Sequence, residues 1–335
     1  MNKQIVLLGR RPTGESLPLA ELFGPLAMLL KLQKQGDKEC YFFIANWHAL
    51  TTQAEVSSFH DNALNAVVDY LAAGLDPEKC TIFIQSMISE TAEIALLLSN
   101  CISFNNLMAN STAFKDIPER QKMFSAGFVF CPVLIAADIL GPKADLVLVG
   151  GHERKELETA REIAKHFKSQ YEEIFPVPKS CFVDTTLVDR ALTFGMVSKG
   201  YGNTIRLDHT LDQIRDALAL VGNDPARAKR SDPGNPTKCN VFAMEKMIVQ
   251  TGASLSMSLG ELTSMCRNAK IGCIDCRGVL YEGILKMTEP IQRRKAELLS
   301  QKAQIKEILR YGAAKARQRI SHTLDEMRKA LQTVF

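Results

Sequence analysis

Nine cysteines are the first residues in this chain whose spacing suggests chemistry. Four gather late: Cys239 in "PTKCNVFAM", then Cys266, Cys273 and Cys276 in "CRNAKIGCIDC". The last three are spaced C-x6-C-x2-C, and Gly272 frees the backbone just before the closing pair. Four thiolates with one tight pair suit tetrahedral zinc or a [4Fe–4S] cube, and ligand softness does not separate the two. The other five, Cys40, Cys80, Cys101, Cys131 and Cys181, sit in apolar or strand-like stretches and read for the most part as small buried hydrophobes. The opening run "KQIVLLG" is too short for the core of a secretory signal, so a cytoplasmic, reducing location without structural disulfides is expected.

A second stretch invites anion chemistry. "GRRPTGESLPLAELFG", residues 9–24, follows that apolar run and leads into the helical pattern "GPLAMLLKLQKQ". A strand, a glycine-bearing turn and a helix present free backbone N–H groups to a nucleotide phosphate. Lysine and Ser/Thr at P-loop spacing are missing. Arg10 and Arg11 stand at the strand end, where guanidiniums are good anion ligands or simply exposed charges.

The elements that must position these residues alternate over the first two-thirds of the chain. Strand candidates are "QIVLLG", "ECYFFIAN", "TIFIQS" and "DLVLVG", with helical patterns such as "DNALNAVVDYLAAG" and "TAEIALLLSN" between them. Apolar strands alternating with helices predict a doubly wound parallel α/β sheet, whose ligands gather outside the carboxyl ends of the strands. From about residue 208 the strand signal stops and the remainder is almost entirely helical. A sheet domain over 1–207 and a helical domain over 208–335 are therefore expected. The net charge of +4 excludes a general polycation reading. The basic run "IQRRKAELLSQKAQIKEILRYGAAKARQR" is either a solvated helix face or an RNA-facing surface. No apolar run approaches the ~20 residues that span a bilayer.

"MVSKGYGNTIRL", residues 196–207, resembles the KMSKS loop of class I aminoacyl-tRNA synthetases in its tryptophanyl form. Further segments resemble that family in order: "PTGE…GPL", "FFIANWHALT", "GLDPEKCTIFIQS", "PVLIAADIL", "KELETAREIA" and "YGAAKARQRISHTLDEMRKAL". The chain is thus identified as a member of the tryptophanyl-tRNA synthetase family, with a Rossmann-like catalytic domain and an anticodon-binding-type helical domain implied. The resemblance implies ATP with Mg, tryptophan or a related amino acid, and tRNA as partners, in a homodimer. It implies an ATP site at Gly9, Thr13, Gly14, Gly24, Ser198 and Lys199, with Lys199 the catalytic phosphate ligand. Asp138 in "AADIL" stands where the family's carboxylate accepts the indole N–H. Glu153, Arg10 and Arg11 complete the substrate-binding set, and Trp47 in "ANWHALT" reads as structural. Cys239, Cys266, Cys273 and Cys276 resemble the set that holds a [4Fe–4S] cluster in some bacterial members, with zinc as the alternative. The first gap, 26 residues, is longer than in that pattern.

Several signature positions depart from the family. Aligned on Gly24, the HIGH-type motif reads Pro18, Leu19, Ala20 and Glu21. Pro18 has no side-chain donor, Ala20 adds a methyl where adenine packs, and Glu21 brings a negative charge. Losing one transition-state donor costs about 3 to 4 kcal/mol. The KMSKS loop keeps Lys199 but has Met196 for its first lysine, and G-x-D-Q reads Gly150, Gly151, His152 and Glu153. Cys131 replaces the tyrosine common before the proline. Three functions fit these residues: a tryptophan–tRNA ligase, a paralogue activating another acid, and a non-catalytic RNA or ligand binder.

Overall fold

The computed structural model describes residues 3–12, 16–51, 58–110, 125–149, 154–182 and 205–333. The first strands and helices are β1 (Gln4–Arg10), α1 (Leu19–Phe23), α2 (Pro25–Gln35), β2 (Lys38–Ile44), α3 (Asn46–Leu50), α4 (Phe59–Ala72) and β3 (Cys80–Ile84). There follow α5 (Glu90–Leu98), α6 (Phe104–Asn110), α7 (Ala126–Leu140), β4 (Leu146–Val149), α8 (Arg154–Gln170) and β5 (Lys179–Phe182). The chain closes with α9 (Leu211–Ala219), α10 (Asn240–Gln250), α11 (Leu259–Arg267), α12 (Cys273–Ser300) and α13 (Lys302–Ala330).

The five strands pair in the order β3-β2-β1-β4-β5, every pair parallel. Helices cover both faces, so the strands carry continuous apolar runs: Val6, Phe42 and Ile44 are wholly buried. Strand order reverses at β1, which makes its carboxyl end the switch point where such sheets bind ligands. The four expected strands are all present. The short fifth strand, "KSCF", was not expected: its lysine and serine hide it from an apolar-run criterion, and pairing with β4 creates it.

Two compact units emerge. One comprises Met1–Gly14, Met28–Val183 and Gln301–Phe335; the other comprises Glu15–Ala27 and Asp184–Ser300. The expected division at 207 differs from these units, because α13 belongs with the sheet. Gly312 brings α13 so close to β3 that any Cβ there would fall on the Ile82 carbonyl. Ala313, Ala316, Ile320, Leu324 and Met327 of α13 join the core built by α5, α7 and the strands. In the second unit, Phe242, Leu262, Ile271 and Val279 form a smaller core, with Cys239, Cys266 and Cys276 packed against it. Among the described residues no helix is long and apolar enough to cross a membrane.

Candidate active site

In the first unit, the chain leaves β2 at Ile44 and turns into α3, and it leaves β3 at Ile84 into a 3-10 turn, Gln85–Met87. Reciprocal bonds lock these two exits together. Asn46 Nδ2 donates to Ser86 Oγ at 2.8 Å, and the Ser86 N–H donates to Asn46 Oδ1 at 3.1 Å. The Trp47 N–H donates to Gln85 Oε1 at 3.0 Å. The early N–H groups of a helix need such partners, and α3 has no side-chain cap of its own. Trp47 thus takes part in this junction through its backbone.

Helix α7 supplies the carboxylate. Ser125 caps it by accepting from the Phe128 N–H at 3.1 Å. Cys131 and Asp138 are seven residues apart, about two turns, and share a face. Gln85 Nε2 donates to both Asp138 oxygens at 2.8 Å, and His48 Nε2 lies 2.7 Å from Oδ2. Since Gln85 Oε1 is already bonded to Trp47, the orientation of its amide is set. A buried carboxylate is costly without partners; here two side chains satisfy it and hold its plane. His48 Nδ1 lies 3.1 Å from Cys131 Sγ. Burial pulls the His48 imidazole down, but the bonds to Asp138 and then Cys131 outweigh it and raise its pKa from 6.5 to about 9.

The glycine turn is partly within view. A Cβ at Gly9 would press into the Phe43 ring, so β1 and β2 require a glycine there. Arg10 ends β1, and its carbonyl accepts from the Ala45 N–H at 2.7 Å. Arg11 Nη2 donates to the His48 carbonyl at 2.9 Å, so one of its nitrogens is committed to α3. In the second unit, Pro18 caps α1 without a side-chain bond, and the Leu19 N–H donates to the Ile205 carbonyl at 2.9 Å. That first N–H of α1 is therefore taken by backbone. Gly24 ends α1, donating to the Ala20 carbonyl at 3.0 Å. Thr13, Gly14, Glu153, Ser198 and Lys199, with His152, lie outside the described residues.

The structure therefore brings Asp138 and Arg11 to the same segment. It adds two residues that the motifs did not single out, His48 and Gln85. A signal for them existed: each is a polar residue at or just beyond the carboxyl end of an apolar parallel strand.

The four late cysteines come from three helices of the second unit. Cys239 caps α10, Cys266 lies on α11, and Cys273 and Cys276 begin α12. Arg227 Nη1 lies 3.9 Å from Cys266 Sγ and 3.8 Å from Cys273 Sγ, so one guanidinium joins two of the thiols. Gly234 permits the approach of Cys266, whose sulfur would meet any Cβ there. Cys276 Sγ donates to Glu245 Oε1 at 3.3 Å. Burial pushes the Cys239, Cys266 and Cys276 thiols up, and it raises the Glu245 carboxyl to about 7. Among the described residues no three His, Cys, Asp or Glu side chains are arranged to hold a metal ion. The donor chemistry fits a thiolate-ligated group; the positions of the sulfurs do not form a single-ion site.

A parallel sheet with β1 at its switch point, and a carboxylate held by donors near the strand ends, place a candidate ligand site at the carboxyl ends of the strands. Residues 1–289 match the family described as "tRNA synthetases class I (W and Y)", and the chain belongs to it. It is 35% identical to the tryptophan–tRNA ligase of Thermotoga maritima over 98% of this chain and 99% of that protein. It is 30% identical to the Aquifex aeolicus tryptophan–tRNA ligase, over 97% and 99%. Among solved structures, it resembles the Campylobacter jejuni tryptophanyl-tRNA synthetase complexed with ADP and tryptophan. That similarity has a TM-score of 0.82 at 26% identity, over 98% of this chain and 100% of the other.

Proposed function

We propose that this protein is a tryptophan–tRNA ligase that joins tryptophan to ATP as an adenylate and passes the acyl group to tRNA. The observation that carries this reading is Asp138: buried, fixed by Gln85 and His48, and set in a chain similar to tryptophan–tRNA ligases along its whole length. A carboxylate with four lone-pair positions and two fixed partners keeps room to accept an indole N–H. Lys199 serves as the phosphate ligand, with Ser198, Gly9, Thr13, Gly14 and Gly24 around ATP and Mg. Glu153, Arg10 and Arg11 face the rest of the substrate. The helices from 208 to 300 face the tRNA anticodon, and the working unit is a cytoplasmic homodimer.

Pro18, Ala20 and Glu21 replace the motif that handles ATP, so adenylate formation is slow relative to family members that retain both donors. Tryptophan-dependent pyrophosphate exchange, scanned over amino acids, tests this. Exchange with tryptophan supports the reading. Exchange with another acid alone selects the divergent paralogue, and tryptophan binding without exchange selects the non-catalytic binder.

We further propose that Cys239, Cys266, Cys273 and Cys276 hold a [4Fe–4S] cluster. Four thiols share one neighbourhood, and a cube separates its thiolates more widely than a single zinc ion, whose Zn–S bonds are about 2.3 Å. When bound, such a cluster ties three helices covalently to one centre. Iron and sulfide analysis of anaerobically purified protein checks this; stoichiometric zinc without sulfide overturns it.

A further inference from the structure

Cys131, His48 and Asp138 stand in line: 3.1 Å from sulfur to Nδ1, then 2.7 Å from Nε2 to the carboxylate. Gln85 fixes the carboxylate from the opposite side through two bonds of 2.8 Å. The order thiol, imidazole, carboxylate is that of an activated cysteine nucleophile, with the third group orienting the base. His48 and Asp138 are buried, while Cys131 is only partly so. Cys40, Cys80 and Cys101 of the same unit are instead buried among apolar residues, and burial raises each thiol.

We propose that Cys131 is a nucleophilic thiol and a modification site for peroxide-class oxidants, activated by the His48–Asp138 pair. With His48 neutral, the thiol donates to Nδ1 and the Nε2–H donates to Asp138. Transfer of the thiol proton to Nδ1 leaves a thiolate beside an imidazolium that the carboxylate stabilises. The thiolate attacks one oxygen of hydrogen peroxide and the O–O bond breaks. Hydroxide leaves and takes the proton from His48 as water. Sulfur is oxidised to sulfenic acid and peroxide is reduced. The charged and titratable groups facing His48 are Asp138 and Cys131, with the Arg11 guanidinium on its backbone carbonyl.

Alkylation of the full-length protein by iodoacetamide, mapped by peptide mass spectrometry, tests this without ATP or tryptophan. Failure would therefore leave the ligase reading untouched. Each alkylation forms an S–C bond as iodide leaves. At pH 7 Cys131 should label on the order of tenfold faster than Cys181, the other partly buried cysteine of this unit, because an ordinary thiol is only a few per cent thiolate there. His48→Gln keeps a donor for Asp138 and should erase the advantage. Should that variant not fold, the wild-type pH profile decides. Labelling of Cys131 stays level from about pH 8.5 down to about pH 7, where an ordinary thiol slows with its thiolate fraction. Dilute peroxide should block Cys131 before Cys181, and dithiothreitol should restore labelling. Equal rates at the two cysteines, an unchanged rate in His48→Gln, or an ordinary profile overturns the proposal.

Discussion

Two regions of this protein gather buried polar groups, and they do so differently. Around Asp138 the carboxylate's own neighbours are tied in: Gln85 bonds at both ends, and His48 lies between a carboxylate and a thiol. Around the four late cysteines the account does not close. Glu245 is wholly buried with one oxygen lacking a hydrogen bond, and Arg227 Nε also lacks one. Buried polar groups are ordinarily satisfied, and exceptions call for an explanation. The first region is a hydrogen-bond network preorganised by the chain itself. The second takes its order from the packing of a small apolar core, with thiol chemistry at its edge.

Breaking the pocket network has the largest expected effect. Asp138→Ala leaves His48 buried without its acceptor and should cost about 3 to 5 kcal/mol, read by denaturant unfolding. Tryptophan-dependent exchange should disappear with it, even at temperatures where the variant stays folded. The next largest effect probes the backbone that carries the first unit. Gly312→Ala places a methyl against the Ile82 carbonyl and should destabilise by about 1 to 3 kcal/mol. Its unfolding loss should leave the reactivity of the second unit's thiols unchanged while that unit stays folded.

The pH dependence sharpens the contrast further. His48 binds its proton more tightly in the folded chain, at about 9 against 6.5, so the native state holds more protons between these values. Stability from this group is complete below about pH 6.5 and is lost as pH rises through about 9. Thermal melts should therefore decline across that window, and His48→Gln should flatten the decline. The smallest effect belongs to the second unit. Thr210 and Gln213 form a capping box at the start of α9. Thr210→Ala should cost about 1 kcal/mol and leave the melting pH profile unchanged.

Much of this arrangement was legible in the residues. The parallel sheet showed in four apolar runs, because strands buried on both faces need no alternation. Asp138 stood out as a carboxylate between apolar segments, where only a partner makes it tolerable. The partners themselves were less visible. His48 and Gln85 lie 90 and 53 residues from Asp138, and only the exits of two neighbouring strands bring them to it. Cys131 was legible only as a replacement for the family's tyrosine, because the imidazole it meets is 83 residues away. The helix α13 read as part of a separate helical domain, since nothing local in "RYGAAKARQR" reveals that Gly312 faces a strand.

Local pattern alone determined four of the sheet's strands, the helical run beyond residue 208, the family resemblance and the close spacing of Cys273 and Cys276. These depend on side-chain periodicity and short sequence distances, which the chain carries wherever it folds. Tertiary structure decided which groups satisfy Asp138, that a thiol and an imidazole meet beside it, and that the last helix completes the sheet's core. The physical reason is that strand order sets which loop ends become neighbours. Hydrogen bonds of 2.7 to 3.1 Å then select among groups far apart in sequence.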